Sequence, residues 1–443
     1  MPKKLAIIGA GPKGVAIAAK AAILRSLGLL DVDVTVFDPS NAGASWDGRH
    51  GYTDGEQPLC TPPERDLGFP YEATTFGPKA ASTMYAQFSW HTFCVEAGAG
   101  PLRYADWISR GQRRPKHKEF AKYLVWALAK ATALHPGVKH VPVVVRDIAY
   151  STTAKMWELR FSGLLLAGTE QFNGVVVTGS GTPLQPPLNP TANPRLFDGK
   201  DFWQRQKGFL DLLDQDDNPS VVIIGSGGTA AAICAHLVRS GISPIPIYVI
   251  GGQPTLFART PNHLEGRLFS DVDSWVVLSN DSRREFMTRL NQGAVWNNVI
   301  DVLGDAENIA YRCGYVWSIR QGSGTAGSGP PSLEAMWSAV RPPAPGSAPL
   351  SPPPVLQPHE GTVFVDARGF DAWGFVARLD SSLRPHFTNR QAVEESIDGT
   401  LAVAPPIFPH PGLHLPMHGW LQGPGSSNLM ALGWMADSIL RRY

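Results

Sequence analysis

Two glycine-rich stretches are the places where this chain could grip a phosphate through its backbone. The first is Gly9-Ala10-Gly11-Pro12-Lys13-Gly14, which ends the apolar run KLAIIGA at residues 4–10 and opens an Ala-rich segment from 15 to about 27. The second is Gly225-Ser226-Gly227-Gly228-Thr229-Ala230, set between an apolar run at 221–224 and a helical segment at 229–238. In such a turn the first small residue permits a tight bend and the second lets amides approach a pyrophosphate. The third lets the helix pack closely on its strand, and the helix N-terminus favours the anion. After the first turn a β-type run at 32–37 ends at Asp38, twenty-four residues beyond Gly14, where a carboxylate can accept hydrogen bonds from ribose hydroxyls. After the second turn the next strand, 245–250, ends in Gly251 and Gly252 instead of an acid. A carboxylate there would repel a 2′-phosphate, so its absence favours NADPH over NADH, with Arg239 or Arg259 as candidate phosphate partners.

Two dinucleotide turns in one chain are most simply one for FAD and one for its reductant, with FAD at the N-terminal turn. The elements that must hold them are legible. An amphipathic helix is expected at 117–134, a buried strand at 174–177, another at 362–366, and a closing helix from about 428 to 441. The stretches 175–179 and 365–370 are strands ending in small-residue turns where the chain can cross between units. The expected fold class is α/β, a flavoprotein with two dinucleotide-binding domains. A Rossmann-like FAD domain (1–210 and 360–443) receives an inserted NADPH domain (211–359). Residues 321–358, rich in Gly, Ser and Pro, read as a surface loop with no functional role.

Composition narrows the function class. A chain of 443 residues is too long for one ordinary core. Thirty-nine Lys and Arg against thirty-eight Asp and Glu leave a net charge of +1, which gives no footprint for nucleic acid or an anionic membrane. Cys60, Cys94, Cys234 and Cys313 are scattered, with no CxxC pair and no metal-ligand spacing. That argues against a disulfide reductase. The apolar run at 5–8 is too short for a secretory h-region and no stretch is long enough to span a bilayer, so a cytoplasmic location is expected.

Between the turns, Gln57 followed by Pro63-Glu64-Arg65-Asp66-Leu67, the segment from Arg114 through Glu119 to Trp126, and Gly423-Pro-Gly-Ser-Ser-Asn-Leu429-Met430 carry a resemblance. They resemble motifs of the flavin-dependent N-hydroxylating monooxygenases, the group of the ornithine and lysine N-hydroxylases. The resemblance implies an enzyme in which NADPH reduces FAD and the flavin reacts with O2 to give a C4a-hydroperoxide. The amine of an amino-acid substrate then attacks its distal oxygen. It puts Arg65 where the family has a carboxylate-binding Lys, Gln57 and Trp46 near the flavin, and Leu429 and Met430 beside flavin and substrate. Trp296 and Asn297 fall roughly at the nicotinamide ribose. Gly266 takes the place of a substrate-contacting Asn, with Arg267 next to it. A cation there would repel a diamine, so the resemblance shifts toward an acidic substrate such as L-aspartate, as in the nitrosuccinate-forming branch. An ion pair of Arg267 with Glu265 or Asp271 stands equally beside that reading. Structural roles likewise stand beside functional ones for Trp46, His91 and His117. Rival functions are a Baeyer-Villiger or sulfoxidising flavin monooxygenase and a non-enzymatic flavin redox sensor. Relatives commonly assemble as oligomers, yet no stripe in this sequence identifies an interface.

Overall fold

The computed structural model describes residues 1–50, 52–71, 75–184, 193–242, 244–259, 262–291, 294–322, 332–343 and 350–443. Its architecture is α/β, built on two five-stranded parallel sheets. In the first, the strand order is Leu413–His414, Gly174–Val177, Lys3–Ile8, Val32–Phe37 and Val138–Val141. In the second it is Ile309–Cys313, Ile247–Gly251, Val221–Ile224, Val363–Asp366 and Leu196–Asp198. The central strands GVVV, VVII and VFVD are buried at every position. Such unbroken apolar runs are what a parallel sheet covered on both faces requires. The second sheet thus draws its strands from 196–366, and both Leu196–Asp198 and Val363–Asp366 fall outside the 211–359 insertion read from the sequence.

The Gly/Ser/Pro-rich stretch is also not one loop. Leu333–Ser338 pairs antiparallel with Tyr315–Gln321 and with Gln357–Gly361, and Leu333 and Ala335 are wholly buried. Six residues of strand-forming sequence were hidden by the composition around them. Residues 323–331 and 344–349 of that stretch lie outside the described residues.

The helix Pro12–Ser26 is buried continuously from Pro12 to Leu24, which explains its alanines: a helix enclosed on all sides needs small side chains. It packs against His117–Leu134 and against the C-terminal helix Leu432–Leu440. The C-terminal helix runs parallel to it. Tyr443 lies against Lys3 and Gly174, at the start of the first sheet's strands, where the chain leaving the first helix also returns, through Lys3 N–H donating to Asp31 O (3.1 Å). Both helices therefore begin at the opposite edge, beyond the strands' carboxyl ends, where ligands of parallel sheets bind. Between them Lys20 Nζ meets Asp437 Oδ1 at 2.7 Å, with side chains only 4% and 3% exposed.

Removing one member of that pair leaves a buried charge uncompensated, a loss of about 3–5 kcal/mol. Lys20→Met is expected to lower the unfolding free energy in urea by about that much, and adding Asp437→Leu should recover most of it. Equal stabilities of Lys20→Met and wild type would show that the pair does not tie the two helices.

Candidate functional site

At the first turn Gly9 sits at φ +109°, and a Cβ there would fall 2.6 Å from Thr178 Oγ1. Thr178, at the end of the neighbouring strand, donates to Ile8 O (2.9 Å) and so closes the turn from the side. A Cβ on Gly14 would collide with the Gly9 carbonyl, whereas at Gly11 nothing lies within 4 Å. The three glycines thus differ in purpose: strain, open approach and close packing. Asp38 is half-buried and holds the turn itself, accepting from Ala10 N–H (2.8 Å) and Ser40 N–H (2.9 Å).

Beside them a cleft of about 470 Å³ is lined by Gly9, Gly11, Asp38, Val143, Val145 and Arg378, among others. Through Ser45, Tyr52, Gly179 and Gly181 it adjoins a second hollow of about 270 Å³ that holds Trp46, Thr53 and His117. Trp46 packs edge-on to His117 (4.8 Å between ring centres) and against Phe120. His117 Nδ1 contacts Thr53 Oγ1 (2.9 Å) while its buried Nε2 has no partner. Burial pulls this imidazole down to about 4, so it is neutral at pH 7. A cleft with an anion-favouring turn, an acid in its lining and an orphaned buried ring nitrogen beside it fits a dinucleotide carrying a flat heterocycle.

Gln57 is positioned by the helix His117–Leu134, whose first N–H groups have no intrahelical acceptor. His117 N–H donates to Gln57 O (2.8 Å) and Lys118 N–H to Gly55 O (2.9 Å). The Gln57 side chain is 4% exposed; Nε2 donates to Ala232 O and Asp54 Oδ2, both at 3.4 Å, and Oε1 is buried without a partner. Gln57 thereby touches the helix of the second turn.

That second turn repeats the first. Gly225 sits at φ +121°, its Cβ position 2.7 Å from Ala367 O, and nothing lies within 4 Å of Gly227 or Gly228. Gly227 caps the helix Gly228–Arg239, Thr229 lies in its first turn, and Ser226 packs on Gly251. The missing acid has a steric reason. A side chain at Gly252 would collide with the Tyr315 ring, and one at Gly251 with Ser226. Arg239 ends the helix, about 16 Å from its start at 1.5 Å per residue, and approaches Asp54 Oδ2 (3.7 Å). Its place at the far end of the helix from the glycine turn favours this pairing with Asp54 over the 2′-phosphate role considered from the sequence. Arg259 ends a short strand paired in register with Trp296; both side chains lie outside the described residues. Asn297 is exposed at the start of the next helix.

A third hollow, of about 400 Å³, gathers residues from three distant parts of the sequence: Arg65, Gly266 with Arg267, and Met430. Arg65 is half-buried, and its guanidinium lies 4.8 Å over the Phe69 ring. Nη1 donates to Met430 O (3.0 Å) and Nη2 to Gly266 O (3.2 Å). These bonds leave other N–H donors of the fork unused, and Arg65 pairs with no carboxylate among the described residues. Arg267 is different. Its Nε and Nη2 contact Asp271 Oδ2 at 3.0 and 2.9 Å, and its side chain is 58% exposed. The charge that motivated an acidic substrate is already answered within the protein. Leu429 is partly buried next to Met430, which is anchored by its N–H to Asn428 Oδ1 (2.8 Å).

Two groups were not singled out by sequence reasoning. Asp66 is fully enclosed and pushed up to about 7 by burial; it accepts from Tyr71 Oη (2.6 Å) and Trp90 N–H (2.7 Å), fixing the loop that presents Arg65. The signal was present in its place beside Arg65. Asp54 meets His236 Nδ1 at 3.1 Å across the two units; burial would raise its carboxyl, but hydrogen bonds from His236, Glu56 and Gln57 hold it below the usual range. No local pattern marked it. His91 packs among Tyr85, Tyr104 and Trp107, away from these hollows. All four cysteines are free, and burial pushes the thiols of Cys94 and Cys234 up to about 12, far from thiolate chemistry. Among the described residues no cluster suits a metal, and no helix is long and apolar enough to cross a membrane.

Comparison with known proteins agrees with this geometry. Residues 82–305 match the family model of L-lysine 6-monooxygenase/L-ornithine 5-monooxygenase. The chain is 32% identical to L-lysine N6-monooxygenase MbtG of Mycobacterium sp. (strain MCS), covering 99% of this chain and 95% of that protein. It is 31% identical to MbtG of Mycobacterium tuberculosis (strain H37Rv), at 99% and 95% coverage. Among solved structures, the lysine monooxygenase NbtG from Nocardia farcinica superposes with a TM-score of 0.74 at 29% identity, over 99% of both chains. The ornithine N-hydroxylase KtzI of Kutzneria sp. 744 shares the fold, at 0.68 and 16% identity, over 99% of this chain and 98% of that one. With two dinucleotide turns, a cleft beside the first and relatives matching along almost its whole length, the chain belongs to the L-lysine 6-monooxygenase/L-ornithine 5-monooxygenase family of flavin-dependent N-hydroxylating enzymes.

Proposed function

We propose that this enzyme hydroxylates the side-chain amine of a lysine-type amino acid, with FAD at the first turn, NADPH at the second and the substrate's carboxylate on Arg65. FAD and NADPH are its cofactors; together they supply the chemistry, activating O2 so that one oxygen atom is delivered to an amine nitrogen. The chain's own part is binding, orientation and exclusion of water. Gly11 and the amides beyond it leave room for the FAD pyrophosphate, and Asp38 faces the ribose. Neutral His117 and Trp46 shape the hollow next to it without adding charge. Gln57 joins the two dinucleotide units at the helix of the second turn.

The observation that carries the substrate assignment is the Arg65 fork. It is half-buried and already oriented by two carbonyls and an aromatic face. A carboxylate arriving there gains a charge-assisted, bidentate contact at little further ordering cost. With Arg267 paired to Asp271, the earlier case for L-aspartate loses its support, and the lysine monooxygenases among the relatives point the same way. A diamine lacking a carboxylate leaves Arg65 unused, which favours an amino acid over cadaverine.

Three outcomes are expected. FAD-loaded enzyme given NADPH in air should form hydroxylamine with L-lysine or L-ornithine, and far less with cadaverine or L-aspartate; product with aspartate alone would refute the assignment. Arg65→Ala should raise the substrate KM about ten- to hundred-fold, the equivalent of a charged hydrogen bond of about 1.5–3 kcal/mol, without changing the KM for NADPH. Unchanged substrate saturation would remove Arg65 from the site. Gly11→Val should abolish FAD retention by blocking backbone approach to the pyrophosphate, and a purified variant that stays yellow would place FAD elsewhere.

A further inference from the structure

The helix Pro12–Ser26 carries two lysines inside an otherwise apolar, buried run. Lys20 has a reason to be there, its pairing with Asp437. Lys13 has none inside the protein. It is 6% exposed and makes no hydrogen bond or ion pair with any described residue. A buried ammonium without a partner is costly, and burial alone pulls Lys13 down to about 8.

Its direction follows from helix geometry. Lys13 lies seven residues before Lys20, close to two full turns, so both project from the same face. Lys20 shows that this face looks toward the C-terminal helix Leu432–Leu440. The C-terminal helix begins just after Met430, whose carbonyl holds Arg65. Lys13 is enclosed in the first turn of its helix, directly after Gly11 and Pro12, at the edge where both helices present their N-terminal ends. The N-terminal ends of the two helices add partial positive charge at that edge. No described carboxylate pairs with Lys13, so the place is open to an anion from outside the chain.

We propose that Lys13 is the counter-charge for an anionic part of bound FAD. Two parts of the cofactor have that chemistry, its pyrophosphate and the pyrimidine edge of the ring, which becomes negative on reduction. The inference rests on FAD occupying the first turn.

The test uses Lys13→Met, which keeps the apolar stem and removes the charge. Three quantities are compared with wild type: thermal unfolding of apoprotein, the FAD dissociation constant from flavin fluorescence, and the flavin midpoint potential. Apoprotein of the variant should melt no lower than wild type, since an unpaired buried charge has gone. FAD should bind at least about tenfold more weakly, so that a given FAD concentration raises the melting temperature less. If the pyrophosphate is the partner, oxidised and reduced FAD weaken alike and the potential stays unchanged. If the pyrimidine edge is the partner, reduced FAD weakens about tenfold more than oxidised, lowering the two-electron potential by about 30 mV. Wild-type affinity together with wild-type potential overturns the proposal. So does a destabilised apoprotein whose FAD affinity is unchanged, which would mark Lys13 as structural. Should Lys13→Met not fold, Lys13→Gln serves with the same readouts. Gly11→Val separates the two layers: if it retains FAD, the cofactor placement is wrong. If it loses FAD while Lys13→Met binds normally, only the role of Lys13 fails.

Discussion

The strand Lys3–Ile8 and the helix Pro12–Ser26 meet at a turn that must run through left-handed backbone at Gly9 while the helix lies close enough to touch the Gly9 carbonyl. Almost everything else follows from that junction. It aims unsatisfied helix N–H groups beyond the carboxyl edge of a parallel sheet, and it places Asp38 where its carboxylate grips the turn from the next strand. The C-terminal helix, tied to the first by a buried ion pair, brings its own beginning to the same edge. A concentration of donors with few acceptors results, which is the electrostatic description of a site for an anionic cofactor.

The second unit repeats the device and is coupled to the first through a small set of polar contacts. Gln57 reaches the helix of the second turn, and Asp54 reaches His236 and Arg239 on that helix. Arg65 does the same at the third hollow by binding carbonyls of Gly266 and Met430, which belong to different parts of the chain. Hydride transfer between two dinucleotides needs their rings brought together, and these contacts are among those that link the units, with Trp275 and Arg283 donating to Leu421 O and Arg284 paired to Glu395. Asp66 stands behind Arg65 as its support, a carboxyl so enclosed that its charge is suppressed while its hydrogen bonds to Tyr71 and Trp90 remain.

Substrate preference illustrates how one pairing changes a conclusion. Read along the chain, Arg267 next to Gly266 looks like a cation placed to reject diamines. In space, the turn that ends the helix His263–Leu268 brings Arg267 against Asp271, four residues on, at an exposed surface. What remains is Arg65, and its fork suits the carboxylate shared by lysine and ornithine. In the proposed function the α-carboxylate is read at one end of the substrate, and the far amine is the group oxidised.

The sequence alone determined both nucleotide turns, most strand and helix positions and the flavoenzyme class, because these depend on local rules. Apolar runs of four to six residues become covered parallel strands, and glycine spacing is dictated by backbone sterics within one turn. The helix His117–Leu134 and the strands Gly174–Val177 and Val221–Ile224 lie just where their patterns end. Tertiary structure decided what depends on partners remote in sequence. It enlisted Leu196–Asp198 and Val363–Asp366 in the second sheet, hid a buried strand within a Pro/Gly-rich stretch, and gave Arg267 its acid. It also put Arg65 between Gly266 and Met430 and left Lys13 enclosed with no anion. A charge's meaning is set by what lies within a few ångströms of it, and sequence spacing records that distance only inside a turn or a helix.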